Sequence, residues 1–182
     1  MAHAEQVDFC ARVRAMFPRY FKPGQLVLDV GSLDINGSNR TLFEHPVNYV
    51  GLDVGRGPNV DMVCPVHEYE SPAGAFDVIV STECFEHDQY YEKSLQRIVR
   101  LLKYQGLFFF SCATTGRAEH GTRRSNPGDS PLTTAIQGWS DYYKNLTEDD
   151  VRRAISVENC FSAFAFEVNA AHADLYFWGI RR

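Results

Sequence analysis

Residues 82–88, TECFEHD, gather carboxylates, a thiol and an imidazole directly behind an apolar run, FDVIVS at 76–81. An unperturbed imidazole titrates at about pH 6.5, which suits His87 to taking a proton from a hydroxyl acceptor. Cys84 and His87 have a spacing compatible with metal ligation, but no second pair completes a set, and no metal is expected. Two other apolar runs end in acids. LVLDVGSLDING at 26–37 carries Asp29 and Gly31 into a polar loop, and NYVGLD at 48–53 ends in Asp53. Open α/β sheets place their ligand sites at such strand ends, and an acid at the end of the second strand suits a nicotinamide dinucleotide.

A basic cluster stands further along. GRAEHGTRR at 116–124 concentrates Arg117, His120, Arg123 and Arg124 in a chain whose 23 acidic residues outnumber 18 Lys and Arg. Guanidinium groups bind phosphate or carboxylate through paired N–H donors, and His120 is the first candidate base, ahead of His87. The alternative is a solvated loop neutralised by Glu119 and Asp129. Trp139, Tyr142 and Tyr143 could wall an acceptor pocket and stack on a sugar ring, or pack the loop down.

These residues need a frame. Phe9, Val13 and Met16 recur at helical spacing, which predicts a helix over 4–16 that ends before Pro18. The short apolar runs at 26–30, 48–53, 60–63, 76–81 and 107–112 read as strands covered on both faces of a parallel sheet. Gly37 and Ser38 start a short helix over 39–44. Asp88 caps a helix carrying Tyr91, Leu95, Ile98 and Leu102 on one face, with Gly106 ending the turn into the fifth strand. Thr147 and Asp150 form a capping box for a helix to about Ile155. Two strands, 161–168 and 175–180, are joined by too few residues for a helical crossover and form an antiparallel hairpin. The expected class is α/β, a doubly wound, mostly parallel sheet closed by that hairpin. Residues 113–146, rich in Gly, Pro, Ser and Thr, read as a lid.

With 182 residues and 45% apolar composition, the chain is expected to form one domain, 1–182. A net charge of -5 argues against diffuse binding to nucleic acid or an anionic membrane. Five scattered cysteines, no CxxC pair and no long apolar run predict a reduced cytoplasmic protein. No oligomeric state follows from the sequence.

The order LDVGS, GLD, FDVIVSTECFEH and RLLKYQGLFFFS resembles the class I S-adenosylmethionine-dependent methyltransferases, in particular the small group with LEH-like motifs. The resemblance covers about residues 25–112 and implies a Rossmann-like methyltransferase fold with S-adenosyl-L-methionine as cofactor. It implies that Asp29, Gly31, Ser32, Asn36 and Gly37 border the methionine part and that Asp53 and Val54 meet the ribose. Cys64 and Val66 then fall near the adenine, and Thr82 and Glu83 near the cofactor at the fourth strand. His87 matches the histidine of the LEH motif, a residue that also helps to shape the cofactor site. The sequence departs from the group at Leu33, where a second glycine is common, at Cys64, where an acid often stands, and at Tyr104-Gln105.

The lid segment is similar to a loop found among methyltransferases of sugar and cell-surface glycan biosynthesis. The expected reaction is therefore O-methylation of a small polar acceptor, a sugar or glycan intermediate, with Arg117, Arg123, Arg124, Trp139, Tyr142 and Tyr143 as acceptor contacts. The alternatives are a catalytically silent cofactor-binding or scaffold protein and, more remotely, a nicotinamide-dependent oxidoreductase.

Overall fold

The computed structural model describes residues 3–45 and 47–182. One sheet of seven strands organises them, in the order β3-β2-β1-β4-β5-β7-β6. The strands β1 (Leu26–Val30), β2 (Asn48–Asp53), β3 (Met62–Val63), β4 (Phe76–Thr82) and β5 (Leu102–Ala113) are parallel. The last two, β6 (Phe161–Asn169) and β7 (Asp174–Arg181), run antiparallel, and β7 inserts between β5 and β6. The doubly wound sheet with its reversed terminal hairpin is as the sequence predicts.

Alternation along β5 builds the core on both faces at once. Phe108 and Phe110 point to one side, with Tyr91, Leu95 and Ile98 of α2 (Tyr91–Leu101) and Val151 of α4 (Glu148–Ala154). Leu107 and Phe109 point to the other, with Phe9, Cys10 and Val13 of α1 (Ala4–Met16). Two one-turn helices, α3 (Pro131–Thr134) and α5 (Val157–Cys160), complete the set. Phe9 stacks on Tyr176 of β7 with ring centroids 4.5 Å apart, so α1 is tied to the far end of the chain. Apolar surface buried on both faces explains why these strands read as continuous runs and not as alternating ones.

Four expectations shift in detail. The helix expected over 39–44 is a 3-10 turn, Asn39–Leu42, opened by Ser38, whose hydroxyl accepts the Arg40 amide at 3.1 Å. Only two residues of the run 60–63 pair as a strand; just before them the Asp61 amide donates to the Gly51 carbonyl and the Asp61 carboxylate accepts the Gly51 amide, both at 2.8 Å. Asp88 lies two residues before the N-cap of α2, at Tyr90, and from there accepts the Tyr90 amide at 2.8 Å and the Ser94 hydroxyl at 2.5 Å. The turn expected at Gly106 is a bulge inside β5, where Leu102 already pairs with Phe76 and Gln105, not the glycine, takes the left-handed conformation at φ 58°. The Thr147–Asp150 capping box is present as read.

No described helix is long and apolar enough to cross a membrane. All five cysteines are free.

Candidate active site

The carboxyl ends of β1, β2 and β4 open into a cleft holding about 930 Å³ of empty space, its mouth included. Asp29, Gly31, Ser32, Asn36 and Gly37 line it from the first loop, Asp53, Val54, Cys64 and Val66 from the β2–β3 side, and Thr82, Glu83 and His87 from β4. The structure thus brings the cofactor candidates of the sequence to one concavity.

Asp53 is built to receive donors. Its Oδ1 accepts the Val54 amide at 2.7 Å and its Oδ2 the Leu33 amide at 2.9 Å. Each carboxylate oxygen therefore keeps a further acceptor position, and Asp53 lines the cleft. Burial raises the Asp53 pKa, and the two amides pull it back.

The unusual Leu33 acquires an account here. Its amide serves Asp53, and its side chain lies across Gly57, where a Cβ would stand 2.2 Å from Leu33 Cδ1. The room that a second glycine would leave in the first loop is supplied by Gly57 in the next.

Asp29 is 1% exposed and answers to the frame as well as the cleft. Its oxygens accept from Asn39 Nδ2 at 3.1 Å and from the Tyr49 hydroxyl at 2.6 Å, and burial pushes its pKa up to about 6. Asn39 also donates to Thr82 Oγ1 at 3.0 Å, so one amide fastens the first loop to both β1 and β4. Nothing in the sequence marks Asn39 beyond its place after the capping Ser38.

Glu83 sits at the end of β4 with φ 50° and accepts from the Ser111 hydroxyl at 2.8 Å. Its second oxygen lies 3.5 Å from His3 Nε2 and 3.8 Å from Arg117 Nη2. Arg117 donates to Asp174 at 2.9 Å and to the His172 carbonyl at 2.6 Å. This guanidinium neutralises carboxylates below the cleft and does not line it.

Arg123 and Arg124 are also placed away from the cleft wall. Arg123 pairs with Asp141, and Arg124 with Glu119 at 3.1 Å. The neutralising acids are thus Glu119, as read, and Asp141 in place of Asp129. Asp129 instead joins the cleft lining, with Leu132 and Thr133 of the same segment. The sequence carries no signal for Leu132.

Of the three lid aromatics, Trp139 lines the cleft, held by the rings of Tyr90 and His67 at 5.6 and 6.4 Å. Tyr143 packs instead on His87 and His120, at 5.6 and 5.0 Å. Tyr142 does not line the cleft.

His87 and His120 meet edge to face, with ring centroids 5.1 Å apart. Burial drives the His87 pKa down to about 3, with His120 adding to the effect, and burial lowers His120 as well. Both rings are neutral at pH 7. Glu86, between them and the core, is fully buried and pushed up to about 8, first by burial and then by the Glu83 charge.

Solved structures share this fold across wide sequence distance. The 1,6-didemethyltoxoflavin-N1-methyltransferase of Burkholderia thailandensis, solved with bound 1,6-didemethyltoxoflavin and S-adenosylhomocysteine, is 16% identical with a TM-score of 0.65, over 98% of this chain and 78% of that one. A SAM-dependent methyltransferase from Aquifex aeolicus is 13% identical with a TM-score of 0.62, over 99% and 94%. Phosphoethanolamine N-methyltransferase 2 of Haemonchus contortus, solved with S-adenosyl-L-methionine, is 16% identical with a TM-score of 0.62, and this chain spans about half (52%) of it and matches over 93% of its own length. No curated protein matches the sequence. The model of the methyltransferase domain family matches residues 1–169, and the chain belongs to that family.

Proposed function

We propose that the protein binds S-adenosyl-L-methionine above β1, β2 and β4 and transfers its methyl group to a hydroxyl of a small polar acceptor, a sugar or sugar-containing intermediate. The observation that carries the reading is Asp53, with one amide on each carboxylate oxygen and a further acceptor position on each for the two ribose hydroxyls. Val54, Cys64 and Val66 offer the adenine a largely apolar seat, and Asp29, Gly31, Ser32, Asn36 and Gly37 surround the amino-acid end. Thr82 and Glu83 close the cleft at β4. The set fits the cofactor by its chemistry.

When bound, the cofactor supplies a methyl group already made electrophilic by its sulfonium. The protein's share is to align the acceptor oxygen, exclude water and receive a proton. Trp139 supports a sugar-ring contact from the lid, whose residues 129–133 also line the cleft. His120 receives the proton as a neutral imidazole, with His87 second and much the weaker base because burial holds its pKa down at about 3. Arg123 and Arg124 hold exposed, weak ion pairs that an anionic group on the acceptor can displace. The free thiols suit a reducing, cytoplasmic setting.

Calorimetric titration with S-adenosylhomocysteine tests the first half of the reading; absence of binding by folded protein sinks it. Transfer of labelled methyl groups to a panel of sugars and nucleotide sugars tests the second. Binding without transfer to any acceptor favours a silent cofactor-binding protein.

A further inference from the structure

One buried polar cluster has no internal solution. Glu86 and His87 lie in the turn Phe85–His87 that follows β4, at 0% and 3% exposure. Among the described residues, neither the ring nitrogens of His87 nor the Tyr143 hydroxyl have a hydrogen-bond partner, and the Glu86 carboxylate oxygens make no hydrogen bond of normal geometry, with only the Glu86 and Ala113 amides nearby. His120 reaches the same point from the lid. One donor atom from each of Glu86, His87 and His120 lies within 4.8 Å of the other two.

Unpartnered buried polar atoms are rare because each costs the desolvation of a group that water would have satisfied. Four such atoms on two adjacent residues, beside a third imidazole, call for an occupant.

The donor set identifies its class. Two imidazoles and a carboxylate suit a divalent first-row transition ion. Around a tetrahedral ion with bonds of about 2.0–2.1 Å, donor atoms stand roughly 3.4 Å apart. The three donor atoms, within 4.8 Å of one another, must draw in to reach that spacing.

A second group, His3, Glu83 and Asp174, satisfies the same spacing but is already neutralised. Arg117 stands 2.9 Å from Asp174, and the Ser111 and Tyr176 hydroxyls donate to Glu83 and Asp174. No Lys or Arg among the described residues pairs with Glu86.

We propose that Glu86, His87 and His120 form a binding site for a divalent transition-metal ion of the zinc type, with Tyr143 alongside. The site stands on side-chain geometry and is independent of the methyl-transfer reading. If that reading also holds, the ion lies beside the cofactor cleft, which His87 lines, and the imidazoles accept a proton only in the metal-free protein.

The test uses the full chain after treatment with a chelator. Calorimetry with Zn²⁺ and visible absorption with Co²⁺ are expected to show one tight equivalent. Glu86→Gln, His87→Ala and His120→Ala should each weaken it by no less than the roughly 10- to 100-fold that loss of an outer-shell partner costs. His45→Ala, an exposed histidine, and Cys84→Ala should leave it unchanged. Absence of stoichiometric binding by the wild-type protein overturns the proposal. So does binding that survives the three ligand substitutions, or a site that takes a protonated amine and no metal. Should circular dichroism show His87→Ala unfolded, the near-isosteric Glu86→Gln and the lid variant His120→Ala decide the outcome.

Discussion

Gly121 rests against His87 so closely that a Cβ at position 121 would stand 2.5 Å from His87 Cε1. The same Cβ would lie 2.8 Å from Ser130 Cβ, and the residue holds φ +61°. A lid glycine is therefore the packing partner of the imidazole that follows β4. Gly121→Ala should cost about 1–2 kcal/mol from the backbone alone and displace His87. The expected result is a melting temperature lowered by about 2–8 °C. Gly128→Ala, with nothing within 4 Å of its Cβ position, should melt with the wild type. Equal melting of both variants would remove the contact from the account.

Asp53→Ala should weaken binding of S-adenosylhomocysteine by about 10- to 100-fold, the worth of one hydrogen bond to a charged group. Because Asp53 also holds the Leu33 and Val54 amides, part of that loss comes from the loop. Asp53→Asn keeps one acceptor oxygen and should fall between the two. Calorimetry gives the affinities, and an unchanged value takes Asp53 out of the site.

Arg117 was expected to bind an anionic acceptor, yet it is paired with Asp174, whose side chain is fully buried. Removing it leaves a buried carboxylate held only by the Tyr176 hydroxyl and His3, and Arg117→Ala should lose about 1–3 kcal/mol in urea unfolding. Arg123→Ala breaks only an exposed pair and should lose no more than about 1 kcal/mol. Similar losses from both would mean that the network below the cleft carries no special weight.

Asp29 carries a pH signature. Its folded pKa, about 6, lies above the ordinary 3.8, so the native state holds that proton more tightly than the unfolded chain. The associated stability is fully present below about pH 4 and is lost as pH rises through about 6, a change of about 3 kcal/mol. Asp29→Asn should remove that component. Because Asp53, Asp88 and Glu86 are raised as well, the measurement is the difference between wild type and variant across pH 4–7. A difference that stays flat over that range contradicts the assignment.

Local patterns carried most of the frame. The runs at 26–30 and 48–53, the first helix, the capping box and the reversed hairpin depend on residues close in sequence, where apolar periodicity, caps and loop length act directly. The bulge at Gln105 was not legible, because it arises from the register of β5 against β4, a strand distant in sequence. Within the site, an acid at a strand end could be read for Asp29 and Asp53, whereas the role of Leu33 could not. Its meaning depends on Gly57, which only the fold brings beneath it.

By itself, then, the sequence determined the parallel sheet with its antiparallel end and the loops that surround one cleft. Only the tertiary structure decided which charges are free. The arginines of GRAEHGTRR look alike in sequence, yet one is tied to Asp174 on β7 and the others to Glu119 and Asp141. Only there do His87 and His120, 33 positions apart in numbering, share a buried corner with Glu86. Desolvation and pairing are properties of the folded surroundings, and residue type alone does not carry them.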